Sequence, residues 1–182
     1  IRWIQFGPTN LARDPNDSVD PRRFQSGYLM SKERDPGQQT VIVHDATIDQ
    51  SKLVTQVEEG DVVVWPTERQ TQERYGLSWF GATNRYFALA VHAPYAALGS
   101  TAKTIAPAIA SVAAQVGDGV HKGIPEKVIF TTCSSDALTI APGASAAFDI
   151  GVFAGPLERS MLTTMQPYAA LNMQGLILYL MS

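Results

Sequence analysis

Leu77-Ser-Trp-Phe-Gly-Ala-Thr-Asn-Arg-Tyr-Phe-Ala-Leu-Ala-Val-His-Ala-Pro94 is the stretch on which the reading of the fold turns. An aromatic run around Trp79 and Phe80 is separated from a second, around Tyr86 and Phe87, by the polar break at residues 82–85. Apolar runs of this length bounded by turn residues read as buried strands, or as a strand and a short helix, near the centre of a core. Trp79, Phe80, Tyr86 and Phe87 are expected to be packing residues. Nothing in the stretch is catalytic on its face.

Working outward, the β signal recurs. Residues 1–6 read as a strand stopped by a turn at Gly7-Pro8, residues 39–45 as a strand, and residues 61–65 as a strand stopped by Pro66. Residues 10–38 are rich in Asp, Arg, Pro and Gly and read as a long surface excursion with at most a short strand at residues 28–30. Residues 48–57 fit a short helix or a strand, and residues 68–75 read as polar loop. The alanine-rich residues 104–116 favour a strand over a helix because of Pro107, with a turn at Gly117-Asp118-Gly119. Strands are expected at residues 126–133 and 137–140, a turn at Pro142-Gly143, and one long strand over residues 145–154, where two unlike faces alternate with period two. Many strands, few helical repeats and Gly/Pro turns together imply a mainly β chain, an antiparallel β-sandwich.

The ending differs. Gly155-Pro156 and an early Glu158 suit a helix start, and Leu157, Met161, Leu162 and Met165 follow helical spacing up to Pro167. Residues 160–182 carry no charge. Their Gln, Asn, Pro and Gly content argues against a spanning helix, so this segment is expected to pack on the sandwich or to lie at a membrane surface, packing being the commoner fate of such a face.

Composition narrows the class. A chain of 182 residues suits one domain burying about 70% of its unfolded surface, and residues 1–182 are read as a single domain. With 45% apolar and 17% charged residues and a net charge of −3, the chain lacks the basic face that nucleic acid requires. The single cysteine, Cys133, excludes an internal disulfide and a cysteine metal cluster. An apolar ending at residues 176–182 and a start without methionine lead to the expectation of a fragment of a longer polypeptide.

The search for chemistry returns little. His44, His92 and His121 stand apart, with no paired spacing for a metal. Cys133-Ser134-Ser135-Asp136 is no nucleophile elbow, and no glycine-rich loop leads into Lys-Ser or Lys-Thr. His92 is expected to be structural and Cys133 a small buried hydrophobe. No catalytic, cofactor-binding or metal-binding residue is expected.

In order and spacing, several segments resemble one family. Leu77-Ser-Trp79-Phe80 leading to Arg85-Tyr86-Phe87 and Pro94, then Ile140-Ala-Pro142-Gly143, residues 148–154, Gly155-Pro156 and the helical residues 157–165 resemble the large periplasmic domain of the YidC/Oxa1-type membrane protein insertases of bacteria. Gln5-Phe6-Gly7-Pro8 also resembles an upstream segment of some members. The resemblance spans residues 77–168. It implies a β-supersandwich of mutarotase-like shape on the periplasmic face of the inner membrane, whose segment 157–182 leads towards the membrane. It implies a non-enzymatic module without cofactor, belonging to a multi-pass parent that assists the insertion or folding of membrane proteins. The partners it implies are Sec translocon components such as SecDF and nascent membrane proteins, with the helix carrying Leu157, Met161, Leu162 and Met165 as the contact surface. Insertion chemistry resides in membrane helices that this chain does not contain.

Two rivals stand beside it. A mutarotase-like carbohydrate-binding or carbohydrate-active sandwich would need His44 or His92 beside Asp45, Asp49 or Glu126 in one concave pocket. A plain structural spacer would share the fold and lack a partner.

Overall fold

The computed structural model describes residues 2–10, 23–29, 41–46, 62–73, 75–83, 86–94, 104–106, 108–121 and 123–177. Two antiparallel sheets account for most of them. The elements in order are β1 (Arg2–Asn10), β2 (Arg23–Leu29), β3 (Val41–Ala46), β4 (Val62–Trp65), α1 (Glu68–Gln72), β5 (Gly76–Thr83), β6 (Phe87–His92), β7 (Ser111–His121), β8 (Ile124–Ser134), β9 (Gly151–Pro156), α2 (Arg159–Thr164) and a 3-10 turn (Met173–Leu176). One sheet has the order β1-β8-β7-β4 and the other β3-β2-β5-β6-β9. The mainly β, sandwich architecture expected from the strand pattern is therefore present.

The stretch 77–94 forms the centre of the five-stranded sheet. β5 and β6 pair in register from Trp79↔His92 to Thr83↔Ala88, so the strand alternative holds and Ala82 and Thr83 of the polar break belong to β5. β5 is covered on both faces: Leu77, Trp79 and Phe80 are all buried. The four-stranded sheet turns Trp65, Val112, Ala114 and Cys133 into the core, residues that the registers place side by side on one face.

Several local expectations change. Gly7-Pro8 does not end β1; the strand continues to Asn10 through a register shift between Phe6 and Thr9, a bulge absorbing the residues that would otherwise break the ladder. Within residues 10–38 the strand is longer and earlier than expected, at Arg23–Leu29. Residues 48–57 and most of 10–38 lie outside the described residues.

Residues 68–75 are not all loop. Thr67 and Gln70 close a reciprocal cap, Gln70 Oε1 accepting from Thr67 N at 2.7 Å and Thr67 Oγ1 accepting from Gln70 N at 3.4 Å, which starts α1.

Gly117-Asp118-Gly119 is not a turn but lies inside β7, and the hairpin closes further on at His121↔Ile124. Its glycine is there for room: a Cβ on Gly117 would sit 2.6 Å from Phe130 Cε2.

Residues 137–140 and 145–150 are not strands. An extended chain alternates its side chains whether or not it has a ladder partner. Phe148 and Ile150 pack against the core while residues 141–147 are exposed, which yields the period-two pattern without a strand. Only Gly151–Pro156 pairs. The expected turn at Pro142-Gly143 is present, with Ala144 N donating to Ala141 O at 3.0 Å.

Of the four aromatics expected to be packing residues, Trp79 and Phe80 are fully buried, whereas Tyr86 and Phe87 are 62% and 57% exposed. The reason is position: they lie at and just after the β5–β6 connection, beyond the area that the second sheet covers.

Candidate functional site

The carboxyl-terminal residues 157–177 form a third layer on one face of the five-stranded sheet. The registers Trp79↔His92 and His92↔Gly151 put Trp79 and His92 on one face, because directly opposed residues share a side. By the registers Gly81↔Ala90↔Phe153, that face also carries Phe153. Trp79 Nε1–H donates to Leu171 O at 2.9 Å. His92 and Phe153 meet Tyr168 edge-on, with ring centroids 5.9 and 5.1 Å away. Leu162, Leu171, Met173 and Leu176 are fully buried in this seam. Small residues floor it: Gly81, Ala88, Ala90, Gly151 and Gly155 let the covering chain approach the sheet. A Cβ on Gly151 would overlap the His92 ring.

His92 is structural, as expected. Its Nδ1 lies 2.7 Å from Ala93 O; a carbonyl only accepts, so Nδ1 carries the proton in the neutral ring. Burial holds its pKa below 6.5, the bond to Ala93 opposing that shift. The cationic form has little solvent to stabilise it there. Cys133 is fully buried, and burial pushes its thiol up to about 12, so it is not a thiolate nucleophile at neutral pH.

The residues of the proposed contact helix are distributed unevenly. Leu162 is fully buried, Leu157 and Met161 pack half-buried against the core, and Met165 is 53% exposed. The outward surface of α2 is therefore Arg159, Ser160, Thr164 and Met165, with Ser160 Oγ donating to Glu158 Oε1 at 2.6 Å at its start. The helix itself spans Arg159–Thr164, so Leu157 precedes it and Met165 is its C-cap.

His44 and Asp45 are successive residues of β3, opposite Ser26 and Gln25. Glu126 lies on β8 in the other sheet, opposite Gly119, and Asp49 is outside the described residues. A cleft of about 360 Å³ opens between Trp65, Gln70, Tyr75, Leu77, Ile109 and Asp136; among the described residues its lining includes one carboxylate and no histidine. Among the described residues no group of His, Cys, Asp and Glu could hold a metal ion, and no helix is long and apolar enough to cross a membrane.

Sequence reasoning missed one surface. Phe87, Leu89 and Val152 are 57%, 43% and 58% exposed and share one face of the β6–β9 pair. The available signal was the alternation of large and small residues in Phe87-Ala-Leu-Ala90, read with the large ones outward.

Comparison with known proteins adds one match. The family model of the YidC periplasmic domain matches residues 21–179. No curated protein and no solved structure matches the chain.

Proposed function

Because the chain belongs to the YidC periplasmic domain family, we propose that it serves as the non-catalytic periplasmic module of an inner-membrane insertase. In this role it assists the insertion or folding of membrane proteins by docking Sec translocon accessory subunits or substrate chains. The observation that carries the reading is the family match over residues 21–179. The burial of His92 and Cys133 away from solvent, with the Cys133 thiol held protonated at neutral pH, supports the non-catalytic part. In this reading residues 1–182 act as one domain, and residues 157–182 lead from its third layer towards the membrane. Met165, exposed at the end of α2, supports the helix as the contact point, since an outward methionine adapts readily to a partner surface.

The test is retention of partners from detergent-solubilised inner membranes on the immobilised domain. Sec accessory subunits or nascent membrane proteins are expected to be retained, with Met165→Glu reducing retention several-fold. Retention unchanged by that substitution moves the contact off α2. No retention of either class overturns the docking role. In the parent reading frame hydrophobic spans are expected beyond Ser182, and a frame lacking them contradicts the membrane-anchored reading.

A further inference from the structure

β9 is the edge strand of the five-stranded sheet, and among the described residues its ladder partner is β6 alone. The register has no bulge: Val152 lies opposite Val91, Ala154 opposite Leu89 and Pro156 opposite Phe87, so these six side chains share one face. Val91 is buried at 2%, but the row emerges from under the second sheet at Leu89, Phe87 and Val152, which are 43–58% exposed. An apolar strip therefore runs out to a strand edge.

Edges of this kind are usually guarded by lysine, inward charges or a bulge, because unpaired backbone groups recruit other strands. β9 reads Gly-Val-Phe-Ala-Gly-Pro; it holds no charge, and its proline blunts only the final position. β6, reading Phe-Ala-Leu-Ala-Val-His, adds no charge either, since its histidine is buried in the neutral-favouring seam. Nothing here selects a partner by charge. What remains is main-chain hydrogen bonding along the edge and apolar contact at alternate positions.

Size chooses the occupant. A few half-exposed side chains, each about 150–250 Å² when whole for the aromatics, give a patch of roughly a few hundred Å². A stable pair of folded copies needs about 800 Å² from each partner. The strip is too small for a second globular copy and is matched to one added strand, which gains its affinity from ladder hydrogen bonds and its selectivity from alternate side chains. We propose that the β9 edge, with the strip formed by Phe87, Leu89 and Val152, receives an extended polypeptide segment with apolar residues at alternate positions, paired as an added strand. The surface is distinct from the outward side of α2, and the inference holds whether or not α2 docks a Sec subunit.

The experiment titrates the isotopically labelled chain with a short synthetic peptide alternating valine and threonine, following fluorescence anisotropy of the peptide and hydrogen exchange of the β9 amides. Saturable binding is expected, together with slowed exchange in Gly151–Pro156. Val152→Lys, which plants a charge in the strip, is expected to weaken binding at least about tenfold. Phe87→Ser serves as a second variant should the lysine impair folding. Val63→Lys, altering a residue 57% exposed on β4 of the other sheet, is expected to leave binding unchanged. A peptide N-methylated at every amide keeps its side chains and loses its donors, and it is expected not to bind. The proposal is overturned by absence of saturable binding, by equal binding of the methylated peptide, or by equal weakening with Val63→Lys. A dimer of the chain that Val152→Lys dissolves would also overturn it, since the occupant would then be a second copy.

Discussion

The two faces of the five-stranded sheet are built from the same kinds of residue and end differently. On one, Trp79, His92 and Phe153 rise from a floor of glycine and alanine and are closed over by residues 157–177, with Leu162, Leu171, Met173 and Leu176 buried between. On the other, Phe80 and Val91 are covered while Phe87, Leu89 and Val152 emerge into solvent. In the first four residues of β6, Phe87 and Leu89 are exposed and Ala88 and Ala90 buried. Burial here follows how closely a covering layer can approach, which small residues permit, rather than how apolar a side chain is. The chain's own apolar ending supplies that layer on one face only.

The comparison is tested first by emptying the sealed face. Trp79→Ala removes the largest side chain of the seam and the bond to Leu171 O, and is expected to cost about 3–5 kcal/mol in denaturant unfolding. Phe87→Ala on the open face is expected to cost far less by the same measurement. Next, within α2 the contrast recurs at close range. Leu162→Ala is expected to destabilise by about 2–5 kcal/mol, whereas Met165→Ala should stay within about 0.5 kcal/mol, and equal costs would mean that α2 is not seated as described. Gly151→Ala forces a methyl into the His92 ring and is expected to cost about 1–3 kcal/mol in thermal unfolding, while Gly143→Ala, in the exposed turn, tests backbone conformation without that overlap.

A pH series gives a smaller effect. His92 has a folded pKa below its ordinary 6.5, so below that pH the unfolded chain takes up the proton first. Stability is expected to fall as pH drops through 6.5 and to level off once the folded pKa is passed. Replacing His92 with glutamine should remove this part of the slope. The smallest change is expected at Thr131, whose buried hydroxyl has no hydrogen-bond partner: Thr131→Val should be neutral or slightly stabilising, because it relieves an unmet polar group.

Part of the fold was legible because a strand with both faces covered announces itself, as β5 does through its continuous apolar and aromatic run. Residues 145–150 were misread for a physical reason: alternation reports an extended chain packed on one side, and a ladder partner leaves no mark in that pattern. Gly117 reads as a turn because sequence does not distinguish a glycine that bends the backbone from one that admits Phe130. The cap at Thr67-Glu-Arg-Gln70 was readable and passed over in favour of local polarity. Of the candidate surface, the short helix around Met161 and Leu162 was legible in its spacing. Its exposed side was not, because the spacing that reveals an amphipathic helix marks the face that it hides.

The account rests on the carboxyl-terminal residues being a built layer of the sandwich rather than a strand of chain lying on it. Hydrogen exchange at the Trp79 indole reads this directly, since Trp79 is fully buried and its Nε1–H is held by Leu171 O at 2.9 Å. Exchange that proceeds only with global unfolding, and shares its denaturant dependence, is the expected result. Exchange as fast as that of an exposed indole, in a chain whose β5 and β6 amides stay protected, would contradict it.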